Sequence, residues 1–480
     1  MKYFFQFFFA AFILSTSQAQ TIVPLPGIDT IKNIPADSSS KLHIAAINVT
    51  GNKKTKTYII LKEIPFKSGD SITAGELYKN LLAAKQLVYN TSLFTEVKIT
   101  PEFISAAEIK LNVTVKEKWY IYPTPQFQLV DRNFNEWLKV YNGSLDRVIY
   151  GAKFAHYNLS GRRDQLRIYL LNGYARNISF SYLAPASNTK LTEGFGISAG
   201  YTQNREIAYR TNFDNKLLQY KNEKNFVRNV FSTAASYLVR KGYYKRHVYR
   251  FGYSYLNVTD TILSPAYNPG YLNSSKSSVG YPDFIYAFQY SNTDNINYPL
   301  KGKIYGVSFL KRGLALTGGI NLFSVDAAFY KYFAHGHDWY SSVELDTKLK
   351  LPFKQAFINQ RALGFQEFYL RGLEYYVVDG VAAALAKYTL KKKIISFKIP
   401  VPFHIKTLPA IPFTIFAKTY ADAGYSYIKR EFDTRLNNRL LYTGGFGIDI
   451  LTLYDINLKI EYSFNQLGEN GLFLHTRGGF

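Results

Sequence analysis

Gly471-Leu472-Phe473-Leu474-His475-Thr476-Arg477-Gly478-Gly479-Phe480 closes the chain. Leu472, Leu474 and Phe480 fall on one face and His475 and Arg477 on the other, the period of two expected of a strand with one apolar and one polar side. From Phe480 back to Tyr122 the same theme recurs as amphipathic strands separated by turns, with hardly any helical periodicity. Porin-type strands need roughly 9 to 11 residues, and on that basis we place about sixteen. They are Pro123–Val130, Val148–Leu159, Gln165–Asn172, Asn177–Leu183, Gly194–Thr202, Val227–Val239, Val248–Asn257 and Pro282–Ser291. The remainder are Lys303–Lys311, Ile320–Phe333, Tyr340–Leu351, Val381–Leu390, Pro412–Tyr425, Tyr442–Leu451, Ile456–Phe464 and Gly471–Phe480. An even number lets an antiparallel sheet close on itself and leave no open edge in lipid.

Connection lengths agree with that count. The long ones, 131–147, 203–226, 258–281, 352–380 and 426–441, all follow odd strands, as the outside loops of a barrel do when its first strand leaves the periplasm. Connections after even strands are short (160–164, 240–247, 334–339), with 391–411 the exception. The predicted fold class is a transmembrane β-barrel over residues 119–480.

Composition points the same way. The chain holds 41 Tyr and 37 Phe, yet its mean hydropathy of −0.15 is too low for helical spans. Aromatic girdles and strands that alternate lipid-facing with lumen-facing residues reconcile the two. Residues 1–19 read as a secretory signal: Lys2, an apolar run Tyr3–Leu14 too short to span a bilayer, then small residues at Ser17-Gln18-Ala19. With no Cys there is no lipid-attachment cysteine, disulfide or thiolate metal site. A net charge of +24 raises nucleic acid as a partner, but the Lys and Arg are scattered and the chain is exported. Anionic lipid headgroups or lipopolysaccharide are the expected counter-charge.

Residues 20–41 form a Pro/Ser/Asp-rich linker, and 42–118 a separate small α+β domain. Ile44–Val49 is a strand stopped by Gly51-Asn52, and Thr57–Glu63 a short helix ended by Pro65. Thr73 is placed as the cap of a longer helix carrying Leu77, Leu81, Leu82 and Val88. Two strands, Leu93–Thr100 and Ile109–Val115, complete it.

This order, with its Asn48-Val49-Thr50-Gly51-Asn52 and Ser92-Leu93-Phe94-Thr95-Glu96-Val97 punctuation, resembles a single POTRA domain. Three further places resemble the BamA/TamA/TpsB superfamily of outer-membrane barrels. Leu370-Arg371-Gly372-Leu373, in the long connection after the eleventh strand, looks like its VRGF/IRGF signature, although Leu373 stands where that family more often has an aromatic. The stretch ending Asp422-Ala423-Gly424 resembles the strand motif that pairs with it. The resemblance implies that the loop folds into the lumen and locks there, Gly372 allowing the tight tip and Arg371 pairing with Asp422, or with Glu374 as the rival. Asp294-Asn295-Ile296-Asn297-Tyr298-Pro299-Leu300-Lys301-Gly302 is similar to a periplasmic turn of the superfamily, with Asp294 bonding local amides and Pro299 and Gly302 setting the backbone. Phe480 is similar to the C-terminal aromatic of barrel-assembly clients.

The function implied by resemblance is insertion or translocation of unfolded outer-membrane or secreted client proteins. The POTRA domain would capture client strands by β-augmentation, with periplasmic or lipoprotein partners. The barrel's first and last strands would meet in a weak seam, Pro123–Val130 against Gly471–Phe480, with Gly478 and Gly479 weakening it. The alternative is a passive channel or structural barrel without assembly activity. No cofactor is implied. Nucleophile-elbow, Walker and His-Glu-x-x-His motifs are missing, so we expect no enzyme. His335, His337 and Asp338 are read as a tight turn.

Overall fold

The computed structural model describes residues 39–130, 142–314, 319–400, 410–429 and 434–477. The expected signal (1–19) and Phe480 lie outside them, as do most of the linker and the Gly478-Gly479 pair.

The N-terminal domain is a four-stranded sheet in the order β2-β1-β4-β3 with two helices on one face. Its elements are β1 (Lys41–Thr50), α1 (Thr57–Leu61), β2 (Ser71–Thr73), α2 (Leu77–Tyr89), β3 (Phe94–Phe103) and β4 (Glu108–Glu117). Ile109, Leu111 and Val113 alternate inward on β4, while Leu77, Leu81, Ala84 and Val88 form one stripe of α2. Together with Leu42 and Ile44 they make a closed core, each large aliphatic contributing roughly 1.5–3 kcal/mol by leaving water. Thr73 does not cap α2 directly. A 3₁₀ turn, Ala74–Glu76, intervenes, and the Thr73 hydroxyl meets the Glu76 carboxylate at 3.2 Å. The three-residue β2 has too little periodicity to be read from sequence.

A single 16-stranded antiparallel sheet follows. Its strands are β5 (Ile121–Leu129), β6 (Val148–His156), β7 (Gln165–Gly173), β8 (Ala175–Ala184), β9 (Glu193–Asn204), β12 (Arg228–Lys241), β13 (Lys245–Val258) and β14 (Ser278–Thr293). They continue as β15 (Gly302–Arg312), β16 (Leu322–Gly336), β17 (Trp339–Leu351), β20 (Ala382–Pro400), β21 (Ala410–Tyr427), β22 (Leu440–Leu451), β23 (Asn457–Asn465) and β24 (Asn470–Arg477). Each predicted strand has its counterpart. Two short hairpins, β10/β11 (Glu206–Thr211, Leu217–Lys221) and β18/β19 (Arg361–Leu363, Val378–Asp379), sit within long connections.

Outer and inner faces differ as a lipid-embedded wall requires. On β12 and β13, Phe231 faces Tyr255 and Tyr237 faces Tyr249 on the exposed side, while Ser232–Ser254 and Ala234–Gly252 pair on the other. No helix among the described residues is long and apolar enough to cross a membrane. The predicted long connection 391–411 is instead mostly strand: β20 and β21 stay paired out to Pro400–Ala410, well past the last bonds to β17 (Trp339–Lys392) and β22 (Leu451–Thr414). Consecutive Lys391, Lys392 and Lys393 with nearby prolines mimic turn chemistry, whereas Ile395, Phe397 and Ile399 keep the alternation going.

The N-terminal domain is fastened to one end of the barrel, the near end. Lys56 N–H donates to Gly161 O (3.0 Å) and Asn158 donates to Thr55 Oγ1 (2.9 Å) in the β6–β7 turn. Arg240 forks onto Glu63 (2.5 and 2.6 Å) at the end of β12. Asn90 donates to Thr293 O (2.8 Å), and Tyr89 to Asp455 (2.9 Å). At the far end, β10, the connection after β13 and Phe357 pack into a second apolar cluster around Ile262 and Leu272.

Candidate functional site

The connection after β17 turns inward because its apolar residues have somewhere to go. Leu370, Leu373 and Tyr376 pack with Leu363, Leu385 and Leu441, so Leu373 fills the tip without an aromatic ring. This places Arg371 against the inner face of β21. Its Nε and Nη2 donate to the two oxygens of Asp422 at 2.9 and 2.5 Å, and its backbone N–H donates to the same carboxylate at 3.0 Å. Nη1 donates to Thr389 Oγ1 (3.0 Å), and the guanidinium lies 4.0 Å over the Tyr420 ring. The Asp422 side chain is fully buried.

Spacing by two explains the strand motif: Tyr420, Asp422 and Gly424 occupy successive inward positions of β21. Tyr420 supplies a face for the guanidinium and Asp422 the bidentate acceptor. Gly424 leaves room for Leu370, whose Cδ1 would lie 2.9 Å from an added Cβ. Gly372 sits at φ +94, and a Cβ there would meet Ser463 Cβ at 2.7 Å. Gly372→Ala is therefore expected to cost about 1–3 kcal/mol of loop docking through the left-handed backbone alone. A lowered temperature at which the intact barrel's loop becomes cleavable would register it; an unchanged temperature would mean the tip relaxes freely.

Glu374 does not take Arg371. It accepts the Gly372 N–H (2.6 Å) and faces His475 of β24 (3.6 Å). Behind the pair runs a chain of buried charges that sequence reading missed. Arg371 Nη1 lies 4.0 Å from Glu461, which also contacts Lys418 (2.7 Å) and His475 (2.8 Å). Lys418 and Lys391 (3.3 Å) converge on Asp449, which also accepts from Tyr298 OH (2.8 Å). Inward parity with an excess of opposite charges on β20 to β24 was the available signal.

Tyr298 belongs to the turn 294–302. Asp294 accepts from Leu300 and Lys301 N–H (3.0 and 3.1 Å), and burial raises its carboxyl pKa while those N–H groups hold it back. Gly302 takes φ +118, where a Cβ would strike Asn292 O; Pro299 lies between Tyr298 and the Asp294-bonded Leu300. The turn also bridges. Asn295 and Asn297 donate to Asp455 (3.0 and 3.1 Å), the carboxylate that binds Tyr89 and approaches Lys118 (3.6 Å). Burial lowers the Lys118 pKa and Asp455 pulls it back up.

One adjacency differs from the rest of the sheet. Every neighbouring pair in the 16-stranded sheet shares a ladder, but among the described residues none joins β24 to β5. Pro123 and Pro125, two residues apart, remove two N–H donors from the same side of β5. His335 pairs with Ser341 (2.7 Å) and Asp338 with Lys393 (2.7 Å), and no cluster of three metal-ligating residues occurs among the described residues.

Residues 42–118 match the POTRA family model, described as a surface antigen variable number repeat. The crystal structure of BamA from Haemophilus ducreyi lacking POTRA domains 1-3 aligns with a TM-score of 0.50 at 14% identity, covering 91% of this chain and 84% of that one. CdiB from Escherichia coli aligns with a TM-score of 0.50 at 11% identity, over 92% and 75%. No curated protein matches the chain. With a POTRA domain at 42–118 ahead of a 16-stranded antiparallel sheet, the described residues have the fold of these POTRA-barrel structures.

Proposed function

We propose that this protein inserts or translocates unfolded polypeptides at the bacterial outer membrane, with the POTRA domain in the periplasm and the β5–β24 seam as the route into lipid or across it. The seam, unpaired among the described residues, carries this reading. Backbone groups left open in hydrocarbon cost several kcal/mol each, so an incoming strand is the partner that such an edge favours. The POTRA domain offers a second edge: among the described residues β3 pairs only with β4, leaving its outer side for a client strand. Pro101, within β3, suits an edge position and discourages unspecific pairing. The inward loop, held at Asp422 and steadied beside β24 through Glu374 and His475, would keep the seam-side wall in place while the edge opens.

The chain contains no cysteine, so an introduced pair is its only thiol chemistry. Gln126→Cys combined with single cysteines from Gly471 to Thr476 identifies a pair that crosslinks the seam. Oxidation of that pair is expected to deplete outer-membrane or secreted proteins, and reductant to restore them. A crosslinked barrel that leaves the protein inventory unaltered while passing solutes would instead support the passive channel.

A further inference from the structure

Where the POTRA domain meets the near rim of the barrel, the wall of one crevice carries five cations and a single carboxylate. Arg163 in the β6–β7 turn, Arg240 at the end of β12 and Arg246 at the start of β13 line two adjoining cavities, with Glu63 between them. That carboxylate is fully engaged. Both of its oxygens accept from Arg240, which also donates to Gly242 O (3.1 Å) and Tyr243 O (3.3 Å). Arg162 is satisfied by Ala186 O and Ser187 O (3.2 and 3.1 Å). Arg163 and Arg246 differ: both guanidinia face the same cavities, and neither has a hydrogen bond or ion pair among the described residues.

Two half-buried like charges that share one crevice, with the nearby Glu63 carboxylate already taken by Arg240, repel each other. Arg163 is held at φ +68, a conformation disfavoured for a long side chain. Burial and the neighbouring Arg246 push its guanidinium down to about 10, which still leaves it charged at neutral pH. A missing anion completes the arrangement.

We propose that this interdomain crevice binds a phosphate group between Arg163 and Arg246. Two planar forks need more acceptor oxygens than a carboxylate has, and a tetrahedral phosphate supplies them. The larger cavity is also walled by Ile59, Leu191, Leu238 and Val248, which suits a ligand with an apolar body beyond the phosphate, such as a lipid headgroup with its first acyl carbons. Because the POTRA domain contributes one wall and the barrel the other, an occupied site fastens the two together.

The test uses the full chain in phosphate-free detergent, titrated calorimetrically with dioctanoyl-phosphatidylglycerol, with inorganic phosphate and with zwitterionic dioctanoyl-phosphatidylcholine. Saturable binding that Arg163→Gln and Arg246→Gln each weaken tenfold or more supports the site. Phosphatidylglycerol binding well above both other ligands identifies a lipid headgroup, whereas equal binding by inorganic phosphate identifies the free anion. In phosphate-free buffer both variants are expected to melt no lower than the parent, since each removes an uncompensated charge. Absence of saturable binding, binding unchanged in both variants, or a melting temperature lowered equally with and without ligand would overturn the assignment.

Discussion

Asp422→Ala should convert the loop carrying Arg371 from a protected into a protease-accessible segment of the intact barrel. The substitution leaves a buried guanidinium, only 10% exposed at its side chain, without the acceptor of two of its bonds, and the Arg371 backbone N–H without its own. Removing one partner of a buried pair costs about 3–5 kcal/mol, which shifts the ratio of docked to released loop by roughly 10² to 10⁴. Glu461 cannot substitute, since Lys418 and His475 already hold it. Arg371→Ala should act in the same direction by stranding the carboxylate. Arg371→Lys should fall between, keeping the charge but losing the fork and the stacking on Tyr420. The double change Arg371→Met with Asp422→Leu should protect the loop better than either alanine variant, because no unpaired charge remains. Limited proteolysis and single-channel conductance read all four. A wild-type cleavage pattern for Asp422→Ala would show that apolar packing of Leu370 and Leu373, and not the ion pair, holds the loop.

The barrel was legible because its constraint is local: a strand with one wall in lipid must alternate, and β12 or β22 does so without help from distant residues. The loop and strand motifs were legible through their small-residue spacing, since Arg371-Gly372 and Asp422-x-Gly424 carry the steric requirement in the sequence itself. What lay beyond reach depends on neighbours far along the chain. Asp449, Lys391 and Lys418 look like ordinary inward polar residues until closure brings β20, β21 and β22 into one charged patch with Tyr298. Asp294, Pro299 and Gly302 announce a turn, but nothing in them announces that the side chain between Asp294 and Pro299 will reach across the lumen. The docking of the POTRA domain was equally silent. Glu63, Tyr89 and Asn90 read as solvated polar residues at helix ends, and their partners Arg240 and Thr293 at strand ends and Asp455 in a turn are placed only by the assembled sheet.

Asp455→Ala is expected to loosen the POTRA domain more than any other single change at the near rim. This carboxylate accepts from Tyr89 of α2, from Asn295 and Asn297 of the turn after β14, and lies 3.6 Å from the buried ammonium of Lys118, just ahead of β5. Its own backbone is strained, with Tyr454 and Asp455 both in the left-handed region at φ 61 and 59; such positions cost roughly 1–3 kcal/mol each and persist only where side-chain bonds offset them. Losing the carboxylate therefore removes the anchor and strands Lys118, a local penalty of about 3–5 kcal/mol. Tyr89→Phe removes one hydrogen bond and should cost only about 1 kcal/mol. Because Glu63–Arg240 and Asn90–Thr293 remain, the domain should swing about those contacts without detaching. Spin labels at Glu102→Cys on β3 and Phe446→Cys on the barrel exterior can follow this, since the chain supplies no competing thiol. A distance distribution broadened in Asp455→Ala, slightly in Tyr89→Phe, is the expected result. If both variants match the parent, the remaining contacts are sufficient, and the bridge from Asp422 through Glu461, Asp449 and Tyr298 to the POTRA domain has no mechanical role.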